Sequence, residues 1–201
     1  MDMPNKKQQS FDRWAPSYDN LFPSVFYQAI HKRTLDYVEL PEQAKVLDIG
    51  CGTGRLLNRL AAKYPDFQGI ELDFSAEMLR QARRSNLHRP RLIFVQGNAA
   101  PLRFVDDQFH AVFNTISFLH YAEPERVLAE VYRVLWPGGM FYLVDPTDRS
   151  LTASWHSEMR LYSREKRQQM GIQAGLECIK HQYLLGPDQM TLTIFSKPSS
   201  L

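Results

Sequence analysis

Between residues 45 and 145 short apolar runs alternate with amphipathic stretches. Lys45-Val46-Leu47-Asp48-Ile49, Phe67 to Leu72, Leu92 to Val95, Phe109 to Ile116 and Met140 to Val144 are short and largely apolar. That is the pattern of strands covered by helices on both sheet faces. Between them the apolar positions recur at helical spacing. Leu56, Leu57, Leu60, Ala61 and Tyr64 form one face of a helix from Arg55 to Tyr64, and Pro65 ends it. Ser75 is placed to cap the next helix, with Glu77 in its first turn where the dipole favours an acid. Val127, Leu128, Val131, Val134 and Leu135 mark the buried face of a further helix, which Pro137-Gly138-Gly139 stops. Strand and helix in alternation predict a parallel, doubly wound α/β sheet.

The flanks read differently. Ser24 to Leu40 predicts a helix closing at Pro41. Ser163 is placed to cap a helix reaching Ala174, with Gly175 as its stop. Two strands follow, Leu176 to Leu184 and Met190 to Ser196. Gly186-Pro187-Asp188 between them is turn chemistry, so the pair reads as an antiparallel hairpin on the sheet edge. Residues 1–10 and 197–201 read as frayed tails. No repeat or long linker divides the chain, so 1–201 reads as one domain.

Composition narrows the classes. The 201 residues suit one domain, and 44% hydrophobic residues suffice for a sizeable core. Lys plus Arg is 24 and Asp plus Glu is 22, a net charge of +2 that argues for neither nucleic acid nor an acidic membrane. The run Arg80, Arg83, Arg84, Arg89 and Arg91 reads as a solvated helix face. An RNA-contacting patch is the alternative, but no matching aromatic platform is evident. Cys51 and Cys178 form neither a disulfide framework nor a metal-ligand cluster. With no apolar signal core and no membrane-length apolar run, the expectation is a cytoplasmic protein.

The sharpest feature is Val46-Leu47-Asp48-Ile49-Gly50-Cys51-Gly52-Thr53-Gly54, a strand running into three glycines with a helix directly after. Glycine permits positive φ and close approach of a ligand to backbone, and this first strand-to-helix turn is the expected ligand site of an open α/β sheet. The dinucleotide fingerprint G-x-G-x-x-G puts its third glycine one place later, where this chain has Arg55. Asp48 stands two residues before the first glycine. A carboxylate there would repel a pyrophosphate and suit a ligand with a cationic end.

Asp48 to Gly54 resembles motif I of the class I S-adenosyl-methionine-dependent methyltransferases. The subgroup it is most similar to is methyltransferase type 11, which includes menaquinone and ubiquinone C-methyltransferases. Phe11-Asp12-Arg13-Trp14-Ala15-Pro16-Ser17-Tyr18-Asp19 is similar to that family's N-terminal segment. Leu72-Asp73-Phe74-Ser75-Ala76-Glu77-Met78-Leu79 resembles the stretch after its second strand, and Val134-Leu135-Trp136-Pro137-Gly138-Gly139 the turn before its fifth. The resemblance implies a Rossmann-like, mostly parallel seven-stranded sheet and S-adenosyl-L-methionine as cofactor. It divides the chain into an N-terminal lid (1–40), a cofactor-binding core (45–145) and an acceptor-side helix and edge hairpin (146–201).

Site roles follow from the same resemblance. Asp48 would hold the methionine amino end. Gly50, Cys51, Gly52 and Gly54 would bring backbone against the ligand, with the Cys51 thiol inert. Asp73 would accept from the ribose hydroxyls. Glu71 is a second candidate, but the run after Asp73 favours Asp73. Phe74 would flank the adenine, while Met78 and Leu79 read as core. The family's Gly-Asp-Ala is Gly97-Asn98-Ala99 here, and Asn98 still offers an amide oxygen to the adenine but no charge. Asn114 and Thr115, ending strand four, would line the cofactor. Tyr18 would fold over it or simply pack a helix.

Methyl transfer by in-line displacement rests on alignment and exclusion of water, and no catalytic triad is evident. His120 is the base candidate, with a structural loop histidine as the alternative. Asp145, Asp148 and His156 follow strand five, while His31, His88, His110 and His181 read as structural. Trp155, Met159, Leu161 and Tyr162 give the segment after strand five an apolar, aromatic character. The expected partner is therefore a small, partly hydrophobic acceptor under a lid of residues 11–30 and 147–162, with no nucleic acid. A sensor module that binds S-adenosyl-methionine without catalysis, or an RNA or protein methyltransferase, is the alternative.

Overall fold

The structure, a computed structural model, describes residues 9, 11–13, 15, 18, 22–149 and 159–199. In chain order its elements are α1 (Phe22–Thr34), β1 (Lys45–Ile49), α2 (Arg55–Lys63), β2 (Gln68–Asp73), α3 (Ala76–Ser85), β3 (Leu92–Gln96), β4 (Phe109–Thr115), α4 (Pro124–Val134), β5 (Leu135–Asp145), α5 (Arg164–Gln173), β6 (Glu177–Leu185) and β7 (Met190–Ser196). They build the expected α/β architecture: one seven-stranded sheet in the order β3-β2-β1-β4-β5-β7-β6. The first five strands pair in parallel, and β7 runs antiparallel to both β5 and β6.

Alternate residues along each strand face opposite sides of the sheet, which gives two cores. Val46, Phe113, Tyr142 and Val144 face α2, and Ile30 of α1 joins them. Leu47, Ile49, Val112, Phe141 and Leu143 face Leu128 and Val131 of α4 and Met170 of α5. Ser75 caps α3 by accepting from the Met78 amide at 3.1 Å, and Ser163 caps α5 by accepting from the Lys166 amide at 3.1 Å. Both caps fall where the sequence places them.

Two boundaries differ from the sequence reading. The first helix ends at Thr34, gives way to a 3₁₀ turn at Leu35–Tyr37 and is extended by Val38. Val38 is buried, its carbonyl accepts from the Tyr64 hydroxyl at 2.6 Å, and Lys63 Nζ donates to the Leu35 carbonyl at 2.7 Å. Tertiary partners stop this helix before Pro41 can. In β5, Pro137-Gly138-Gly139 belongs to the strand rather than preceding it. The Gly138 amide donates to the Lys197 carbonyl at 2.8 Å and the Lys197 amide to the Gly139 carbonyl at 2.9 Å. The irregular register between Phe109 and Ala111 absorbs the extra residues.

Candidate active site

Strand order reverses between β1 and β4, and ligands of open α/β sheets bind at the carboxyl end of such a switch point. An open cleft of about 770 Å³ lies there. It is lined by Gly50, Cys51, Gly52 and Thr53 of the glycine turn, by Asp73, Phe74 and Met78 at and after the end of β2, by Tyr27, Gln28 and His31 of α1, and by Thr115, Ile116, His120 and Tyr121 at and after the end of β4.

The glycine turn is tied to β2. The Gly50 and Cys51 amides both donate to the Leu72 carbonyl, at 2.8 and 3.1 Å, and the Gly54 amide to the Cys51 carbonyl at 3.0 Å. Gly50 has φ +75°, and a Cβ on it would stand 2.5 Å from Ser117 Oγ. Gly52 has φ +54° and open space where a Cβ would point. That gap beside bare backbone is a cradle that a side chain would fill.

Three carboxyl groups gather beneath and beside this turn. Asp73 lines the cleft, with Oδ2 accepting from the Gly52 amide and Oδ1 from the Ser75 amide, both at 2.9 Å. Burial raises its pKa to about 6, against the pull of those amides. Asp48 is fully buried and neither oxygen has a hydrogen-bond partner. Burial, reinforced by Asp73, pushes it up to about 8. Glu71 is equally buried, with only the weak donor of the Cys51 thiol beside it. The Cys51 thiol is pushed well above its usual range by burial and by these acids, which makes it a poor nucleophile.

The remaining expected residues divide. Tyr18, Phe74, Thr115 and His120 line the cleft. Phe11 spans two of them, meeting Phe74 and His120 edge to face at 5.6 and 5.3 Å between ring centres. Gly54 starts α2 behind the turn. Asn114 is buried below it, donating to the Ile49 carbonyl at 2.9 Å and the Tyr121 hydroxyl at 2.7 Å, so it braces the floor. Asn98 lines an adjoining cavity with Leu72, Gly97, Arg103 and Phe104, and Ala99 packs against the second core. Trp14, Pro16, Ser17, Asp19, Trp155 and His156 lie outside the described residues.

Sequence reasoning missed the α1 wall. His31, read there as structural, faces the cleft with Nε2 3.3 Å from Thr115 Oγ1. Burial and Arg59 push its pKa down to about 4, so it is neutral near pH 7. Tyr27 lies one helical turn earlier on the same face. Met78 both packs in the core and touches the cleft. Asp145 is buried behind the β4 end, with Oδ2 accepting from the Leu119 amide at 2.9 Å. Among the described residues no group of three or more His, Cys, Asp or Glu could hold a metal ion, and no helix is long and apolar enough to cross a membrane.

Fold and cleft together define a class: an α/β protein with an open cleft over a glycine turn at the switch point of its sheet. Residues 46–139 match the family described as "Methyltransferase domain". The 2-phytyl-1,4-naphtoquinone methyltransferase of Thermosynechococcus vestitus is 34% identical over 143 residues, covering 69% of this chain and 63% of that enzyme. The demethylmenaquinone methyltransferase of Listeria welshimeri is 31% identical over 168 residues, covering 79% and 70%. A chain solved in the complex between the Haloferax volcanii Trm112 methyltransferase activator and a methyltransferase superposes with TM-score 0.84. It is 23% identical, with 98% of this chain and 100% of that one covered. The chain belongs to the class I S-adenosyl-methionine-dependent methyltransferase family. It spans less than two thirds of the length of several relatives, 63% for the Thermosynechococcus enzyme.

Proposed function

We propose that this protein transfers the methyl group of S-adenosyl-methionine to a small, partly hydrophobic acceptor. The observation that carries the reading is Asp48, buried with two unpartnered oxygens beneath a glycine turn whose Gly52 backbone faces open space. An ammonium group over this turn would draw Asp48 into its ionised form, whereas a pyrophosphate would gain nothing from it. Asp73 keeps lone pairs beyond those its two amide bonds use, enough to accept from ribose hydroxyls. Phe74 and Phe11 supply an aromatic wall for a base.

When bound, the sulfonium supplies an already activated methyl group. The residues of this chain orient and dehydrate. Thr115 and Ile116, at the end of β4, line the cleft. Tyr27, His31 and His120 give the proposed acceptor side an aromatic lining with polar edges. That lining suits a flat ring bearing oxygen, and the naphthoquinone and menaquinone substrates named for the relatives support a quinol-type acceptor. His120 is placed to take a proton where the acceptor carries one. Phe11, Tyr18, Tyr27 and Gln28 line the cleft from the N-terminal side.

Thermal-shift titration with S-adenosyl-methionine, S-adenosyl-homocysteine and NAD tests the cofactor. A ligand at 100 times its Kd adds about 2.7 kcal/mol, which raises Tm by roughly 5–10 °C in a domain this size. The two adenosyl ligands should give that shift and NAD none. Release of S-adenosyl-homocysteine with 1,4-dihydroxynaphthalene then tests the acceptor class. A stabilised protein that turns over no acceptor from a broad panel would instead be a binding module.

A further inference from the structure

Glu71 has no part in the mechanism above, yet it occupies a costly position. Strand register places it directly across from Asp48, on the neighbouring strand. In-register residues of adjacent strands project to the same sheet face, so two acids share one side of the sheet. Both are fully buried; neither Asp48 oxygen has a hydrogen-bond partner, and Glu71 has only the weak Cys51 thiol donor beside it. The N-terminus of α2 closes over Glu71: a Cβ on Gly54 would stand 2.5 Å from Glu71 Oε2 and 3.1 Å from Ala82 Cβ.

Their electrostatic surroundings are acidic. Asp73 acts on Asp48, Asp48 acts on Glu71, and the Cys51 thiol beside Glu71 is itself held neutral. Asp12 presses on Asp73 from the N-terminal segment, and Tyr121, facing Asp73 from the loop after β4, keeps its proton. Arg55, at the start of α2, lines the cleft beyond the turn. Two buried acids side by side cannot both ionise, since each would pay desolvation and repel the other. Burial and Asp48 hold Glu71 far above the ordinary carboxyl range, while Asp48 is held less high, at about 8.

We propose that Glu71 is a positioning residue of the cofactor site that acts through Asp48: it keeps its proton and turns it toward Asp48 as a hydrogen-bond donor when the ligand's ammonium group draws Asp48 into the ionised form. The proton leaving Asp48 passes to solvent, so binding releases one proton per ligand at neutral pH. The inference rests on the cofactor reading above and adds to it a partner for the charge that binding creates.

The test is calorimetric titration of the full chain with S-adenosyl-homocysteine at pH 7, in buffers of low and high ionisation enthalpy, followed by Kd measurements from pH 6 to 9. The wild type should release about one proton, and its affinity should rise about tenfold per pH unit until Asp48 is ionised, then level off. Glu71→Gln keeps a donor and should bind as the wild type does. Glu71→Leu fills the same space without a donor. It should bind about tenfold more weakly at pH 7 and recover at higher pH. A merely structural Glu71 would leave that pH profile unmoved. Binding with no proton release, or a Glu71→Leu protein with the wild-type profile, overturns the proposal while leaving the cofactor reading intact. No binding by the wild type overturns both.

Discussion

Gly50 and Gly52 sit in one turn with φ of the same sign, yet substitution should harm them in different ways. Alanine at either costs about 1–2 kcal/mol of left-handed backbone strain. At Gly50 the new methyl also drives into Ser117, adding about 1–3 kcal/mol of overpacking. Gly52→Ala should therefore remain well folded yet lose S-adenosyl-homocysteine binding, because its methyl fills the open space of the cradle. Gly50→Ala should lose Tm as well, and melting each variant with and without ligand separates the two. Asp48 gives a prediction with a definite sign. The folded protein holds its proton to about 8, whereas an ordinary aspartate gives it up at 3.8. The folded state therefore binds the extra proton between those values, and stability falls as pH rises through that window. Asp48→Asn removes this penalty. The empty variant should melt higher than the wild type at pH 8, with the gain shrinking toward pH 4, while ligand affinity drops. These positions were legible because motif spacing along one strand and turn names them directly. Phe11, Tyr27, His31 and Tyr121 were not, because they reach the cleft only once α1 and the loop after β4 pack over it. In one dimension, an α1 histidine has no partner to betray it.

At the scale of elements, capping chemistry carried the reading well and chain reversal carried it less well. Ser75 and Ser163 cap as their sequences indicate because a cap is a local bond spanning three residues. Ser163 is the cleaner test, since it stands away from the glycine turn. Ser163→Ala should cost about 1 kcal/mol, read as a Tm lower by about 2–4 °C, with S-adenosyl-homocysteine affinity unchanged. A loss of affinity would mean that α5 sets the cleft and does not merely support it. The short first helix and the long fifth strand escaped the sequence for one reason. Tyr64, Lys63 and Lys197 decide those boundaries, and they lie 26, 28 and about 60 residues away from their partners.

For the whole molecule, alternating strands and helices sufficed to name a doubly wound sheet, and a terminal hairpin was expected at its edge. The sequence does not say which hairpin strand faces inward. In the structure it is β7 that joins the body, against β5, while β6 hangs on β7 as the outer strand. Leu192, Ile194 and Phe195 accordingly complete both cores. Gly171 of α5 rests directly on the Phe195 ring with no room for a methyl. A chain ending before Met190 should therefore lose near-ultraviolet circular dichroism and cooperative melting together, rather than shed one outer strand. This ordering also bears on how the protein is made. As a ribosome extends the chain, β6 emerges with no strand to pair with, because β7 has yet to be synthesised. The growing polypeptide must carry an unsatisfied strand and an open β5 flank until the residues after Gln189 arrive. Nascent chains stalled in that interval are where chaperone binding or aggregation should be greatest.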